Sequence, residues 1–185
     1  MKISIGSKFI DGPYGGGNLF VKNLQNYLIE NGHKVIYDLS EKDIDIIMLM
    51  NPLVDSEQAT YDDNNINFYQ KYINPNAISV QRINECDERK NTSHVNKSIV
   101  SSNKYIDYTI YVSRWIQDIY KNLGLKEDDS TVILGGANQK YFNIVNKSFW
   151  DGNYQFSSAY VYFLILLHSS SVCFNTTQFI SNFAS

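Results

Sequence analysis

The stretch KISIGSKFIDGPYGGGNLFVKNLQNYLIENG, Lys2 to Gly32, decides the fold. Lys2 to Gly6 reads as a strand, and a glycine-rich loop follows it. Phe20, Leu24, Tyr27 and Leu28 then fall at i, i+4, i+7 and i+8, on one face of an amphipathic helix. Asn18 is the expected N-cap of that helix and Gly32 its expected stop. The rest of the chain repeats the unit. HKVIYDL is a second strand, and DIDIIMLMNP is a third, with the near-continuous apolar run of a strand buried on both faces, ended by Pro52. NINFYQKYI predicts a helix and Ala77 to Val80 a fourth strand. YTIYVS is a fifth, after which Ser113 caps a helix whose Ile116, Ile119, Tyr120 and Leu123 share a face and which Gly124 stops. STVILGG is a sixth. Alternation of this kind predicts an α/β fold: a Rossmann-like parallel sheet flanked by helices, with about six or seven strands. Such sheets bind ligands beyond the C-terminal ends of their strands, and the glycine loop sits at the first of those ends.

Composition narrows the function classes. The 185 residues suffice for one domain with a real core. The net charge is -3 and no basic block stands out, so no nucleic-acid partner is expected. Cys86 and Cys173 stand far apart, which supports neither a disulfide framework nor a zinc site. His33, His94 and His168 are scattered, and no metal or organic cofactor is expected. Asp43 and Asp45 form an Asp-x-Asp pair, but it precedes a strand rather than following one, and reads as two surface carboxylates. Trp115 and Tyr120 read as core. The apolar run AYVYFLILL is about half the length of a membrane span, so no transmembrane segment is expected and a cytoplasmic location is. From Tyr154 to Ser185 there is no Asp, Glu, Lys or Arg at all.

Three chemistries use a glycine loop of this kind. A P-loop needs Lys and Ser or Thr after its last glycine, where this chain has Asn18 and Leu19. A dinucleotide site would use Gly15 to Gly17 and Asp38 as the ribose-binding acid, but Phe20 stands where the third glycine belongs and the loop is long for a nucleotide turn. The remaining option is a glycine-rich lip at a helix N-terminus, where backbone N–H groups meet a sugar or an anion. After the fourth strand comes VQRINECDERKNT, with Arg82, Asn84, Asp87, Arg89 and Lys90 gathered toward the same edge of the sheet. A guanidinium there suits a phosphate or carboxylate.

Four segments carry a family resemblance, in order and over residues 1 to 153. They are DGPYGGGNLFVKNL, DIDIIMLMNP, YVSRWIQDIY and VILGGANQKYF. Together they resemble the N-terminal half of GT-B glycosyltransferases of the retaining family-four type. In the last segment Gly136 matches the family's glycine and Phe142 its aromatic, while Asn138 stands where Asp is usual and Gly135 replaces the usual Asn. The resemblance implies an acceptor-side domain over residues 1–145, a hinge over 146–153 and a charge-free, non-native or disordered tail over 154–185. It implies sugar transfer from a nucleotide-sugar donor to a sugar or lipid-linked acceptor, with retention and without a metal. Family members often place a histidine near the transferred sugar in the region after strand four. None occurs between Val80 and Thr92, and Arg82 and Asn84 are the nearest substitutes. The substrate-binding set is therefore Gly15, Gly16, Gly17, Asn18, Arg82, Asn84, Arg89, Lys90, Gly136 and Asn138. Catalytic residues are left unassigned, because the family's donor-binding Lys or Arg and its paired Glu belong to a second domain. On this reading the chain is the acceptor half only, truncated and inactive alone, or active with a separate donor domain. Two alternatives stay open: a non-catalytic sugar- or anion-binding module or split-enzyme subunit, and an NAD-dependent oxidoreductase.

Overall fold

In the computed structural model, residues 1–10, 15–52 and 58–135 are described. Six parallel strands form one sheet in the order β2-β1-β3-β4-β5-β6. They are β1 (Lys2–Ile5), β2 (Lys34–Ile36), β3 (Ile46–Leu49), β4 (Ile78–Ile83), β5 (Tyr108–Tyr111) and β6 (Ser130–Val132). The helices are α1 (Gly16–Glu30), α2 (Asp63–Tyr72), the single-turn α3 (Asp87–Lys90), α4 (Val95–Ser102) and α5 (Arg114–Asn122). The predicted α/β layout holds, with one sheet flanked by helices.

Right-handed crossovers fix which face each helix takes. The chain steps from β1 outward to β2 through α1, then reverses and steps the other way through every later strand. So α1 covers one face and the later helices the opposite one. On that opposite face Ile47 and Leu49 of β3 pack with Ile66 and Tyr69 of α2. Beside them Ile83, Cys86 and Tyr111 pack with Ile99 of α4 and Ile116 and Tyr120 of α5. All four residues of β3 are buried, as its apolar run predicts for a central strand.

Helix boundaries depart from expectation in places. The N-cap of α1 is Gly15, at φ 26, not Asn18. Asn18 lies one turn's depth inside, buried, with its amide paired to the backbone of Ile10: Oδ1 accepts from Ile10 N at 3.0 Å and Nδ2 donates to Ile10 O at 2.6 Å. The buried stripe of α1 runs through Val21, Leu24 and Leu28, so Phe20 falls to its edge and is half-buried. Ser113 caps α5 as expected, its Oγ accepting from Ile116 N at 3.2 Å. Tyr120 is core, whereas Trp115 is 52% exposed and is not. Asp43 and Asp45 are exposed at the entry to β3, and both hold Lys2.

Gly6, just past β1, is a packing requirement. Its N–H donates to Met48 O at 2.8 Å. A Cβ built there would stand 2.7 Å from Tyr61 Cε2 and 2.9 Å from Met48 O, a backbone atom that cannot swing away. Gly6→Ala is expected to cost about 1–3 kcal/mol of stability, as overpacking does. Urea unfolding of the pair of proteins checks it, and a neutral result would show that β1 and β3 are not held as tightly as described.

Candidate functional site

The strand order reverses between β1 and β3, and the general rule places a ligand at the C-terminal strand ends beside that reversal. A cleft of about 170 Å³ lies there. Ser7 past β1, Met50 to Pro52 past β3 and the end of β4 form its floor and walls, and Gly17 of α1 forms its lip. Of the predicted set, Gly17, Arg82, Asn84 and Lys90 border this cleft together.

Arg82 belongs to β4 itself, which runs three residues beyond the predicted end at Val80. Strand alternation then sets its direction. Ser79 and Gln81 face the α2 and α4 side, where Gln81 Nε2 donates to Ser102 Oγ at 2.9 Å and Ser79 Oγ donates to Asp107 Oδ2 at 2.8 Å. Arg82 takes the α1 side, with its guanidinium carbon 3.9 Å from the centre of the Phe20 ring. This is a cation–π contact. Burial pulls Arg82 down to about 10, against the raising influence of Glu85, so the group is charged at neutral pH.

Glu85, which sequence reasoning left out, organises the other two cations. Its Oε1 takes Arg89 Nη2 at 3.1 Å and its Oε2 takes Lys90. Arg89 lies outside the cleft lining, on the surface beside it. The i,i+4 spacing of Glu85 and Arg89 was the available signal for that pair. The Phe20–Arg82 stack had none, because the two residues meet only through the fold.

Asp87 is a structural carboxylate rather than a ligand contact. Its Oδ1 accepts from Thr92 Oγ1 at 2.6 Å, Val95 N at 2.9 Å and His94 N at 3.1 Å, and its Oδ2 accepts from Asn96 N at 3.1 Å. It thereby caps α4, a helix the sequence reading did not anticipate. Burial alone would raise this carboxyl, but the bonds from Thr92, Asn96, Val95 and His94 outweigh it and hold it below the ordinary range. A depressed carboxyl stabilises above its unfolded value, near 3.9, and loses that contribution as pH falls through its folded value. Asp87→Asn is therefore expected to destabilise at neutral pH, with the gap to the parent closing in acid. Unfolding midpoints measured across pH check this, and a gap independent of pH would contradict it.

Gly15, Gly16 and Gly17 are exposed, and among the described residues a Cβ at any of them would meet nothing within 4 Å. The N–H groups of a helix's first turn have no intrahelical acceptor. The connection from β1 to α1 runs ten residues, Gly6 to Gly15, which is not the tight turn of a dinucleotide site. Asp38 Oδ1 accepts from Ser40 N at 3.0 Å and Ser40 Oγ at 2.6 Å, closing a local turn. Gly136 and Asn138, with residues 146–185, lie outside the described residues.

Among the described residues, no group of three or more His, Cys, Asp or Glu is gathered as metal ligands would be, and no helix is long and apolar enough to cross a membrane. No family model and no curated protein matches the sequence. Among solved structures, one similar chain is an alpha-glucosyltransferase in complex with UDP-glucose and DNA containing an abasic site. The likeness has a TM-score of 0.42 at 16% identity and covers 71% of this chain and 41% of that one. The chain thus spans less than half the length of that protein.

Proposed function

We propose that residues 1–145 form the acceptor-side domain of a GT-B glycosyltransferase, of the retaining family-four type. The carrying observation is the cleft beside the β1/β3 reversal, where Gly17, Arg82, Asn84 and Lys90 converge. The four ordered sequence segments support the same reading. In it the acceptor lies in this cleft. Its charged part is met by Arg82, and the N-terminus of α1 supplies further N–H donors. The diphosphate of the nucleotide-sugar donor is held by a second domain, in the same chain or in another. No metal takes part, and departing charge is stabilised by fixed donors.

The test is a set of amide-resolved NMR titrations of the full chain with UDP-glucose, monosaccharides and NAD. Carbohydrate-bearing ligands are expected to shift the amides of Gly17, Arg82, Asn84 and Lys90. Shifts produced by NAD alone, or carbohydrate shifts confined to other surfaces, would sink the reading.

A further inference from the structure

Several rotatable bonds let an arginine side chain sweep a wide volume, and an anion that captures a free one loses affinity to the cost of ordering it. Arg82 is not free in this way. Its guanidinium carbon stands 3.9 Å from the centre of the Phe20 ring. The negative face of a ring attracts a guanidinium, the more so where both are partly desolvated, as these two half-buried residues are. Among the described residues Arg82 makes no ion pair. The acid whose charge reaches it, Glu85, is committed to Arg89 and Lys90. Phe20 itself stands on a fixed base. Asn18, in the same turn of α1, is bonded through both atoms of its amide to the Ile10 backbone, at 3.0 and 2.6 Å, which ties that turn to the connection from β1. Gly17 and Val21 of this helix line the cleft, as Arg82 does, and Phe20 does not. Its link to the cleft runs through Arg82.

We propose that Phe20 is a positioning residue for the cleft: its ring holds the Arg82 guanidinium in place before an anionic group arrives. Preorganised donors bind more tightly than donors that must first be ordered. A guanidinium gains most from this, because its fork of N–H donors matches phosphate and carboxylate only in a fixed orientation. An aromatic ring supplies the restraint while leaving the fork without a competing oxyanion. A carboxylate partner would occupy it, as Glu85 occupies Arg89 and Lys90. The proposal rests on the reading of the cleft as a ligand site, and adds to it the residue that sets its charged contact.

A double-mutant cycle on the full chain tests it, with inorganic phosphate as the probe and NMR titration as the readout. Phe20→Leu keeps the bulk and removes the ring, and is expected to weaken phosphate binding about fivefold. Phe20→Tyr keeps the ring and should stay within about twofold of the parent. In the Arg82→Gln background Phe20→Leu should change nothing further, because a residue that acts through another has no effect once that other is gone. The Arg82 Hε proton gives an independent signature: the ring should shift it upfield in the parent, and Phe20→Leu should release it. Equal weakening by Phe20→Leu with and without Arg82 overturns the proposal, since Phe20 is then only structural. So does an equal loss for the leucine and tyrosine variants, or a parent that does not bind phosphate. An unshifted Hε in the parent overturns it even if Phe20→Leu fails to fold. In each of these cases the glycosyltransferase reading stands as long as carbohydrate-bearing ligands shift the cleft amides, and it falls on those titrations rather than on the cycle.

Discussion

Replacing Tyr120 by alanine is expected to remove about 3–5 kcal/mol of folding stability, the usual cost of deleting a buried aromatic side chain. Tyr120 is fully buried, with its ring stacked 6.3 Å from that of Tyr111. Its hydroxyl donates to Glu85 O at 2.9 Å, with Asn96 Oδ1 at 3.0 Å. Burial raises the hydroxyl well above the ordinary tyrosine range, so it stays a donor at every working pH. The residue thus ties α5 both to the core and to the backbone of a residue on the cleft wall. Tyr120→Phe isolates the second tie and should cost only about 1 kcal/mol, the worth of one hydrogen bond. Urea unfolding measures both variants. If Tyr120→Ala cost no more than Tyr120→Phe, the packing of α5 on β5 would not be as described. The loss is large beside a typical stability of about 5–15 kcal/mol.

Arg82→Gln is expected to weaken binding of inorganic phosphate by about 10- to 150-fold, corresponding to the roughly 1.5–3 kcal/mol of a hydrogen bond to a charged group. Arg82→Lys should fall between the two, because an ammonium keeps the charge but lacks the planar fork of donors that a guanidinium offers. Calorimetry on the parent and both variants gives the comparison, with matched unfolding midpoints showing that the fold is intact. Equal phosphate affinity in all three would take Arg82 out of the site.

Much of the architecture could be read along the chain, because each local signal acts over a few residues. The apolar run of Ile46 to Leu49 marks a central strand whatever surrounds it. Ser113 and Gly124 mark the ends of α5 because capping is a matter of local backbone geometry. Alternation of strands and helices then leaves a parallel sheet as the way to bury both faces. Other features had no local signal. The segment from Asp87 to Ser102 carries no local cap signal for a helix, because the cap of α4 is a carboxylate eight residues before the helix begins. Asn18 has the chemistry of an N-cap, but the glycine at position 15 can take φ 26 and starts the helix sooner, which frees Asn18 to hold Ile10.

The sequence by itself determined the class of sheet and the order of its strands. It also marked Arg82, Asn84 and Lys90 as polar residues near one strand end, since spacing and residue type carry that much. Only the tertiary structure decided what those residues do. Pairing β4 through Ile83 turned Arg82 to the α1 face, and the crossover of α1 brought Phe20 beneath it from sixty-two positions away. The same folding set Glu85 against Arg89 and Lys90 and closed the cleft between β1, β3 and β4. The physical reason is that a strand's side chain points up or down by register, and register is fixed by the neighbouring strand rather than by the residue itself.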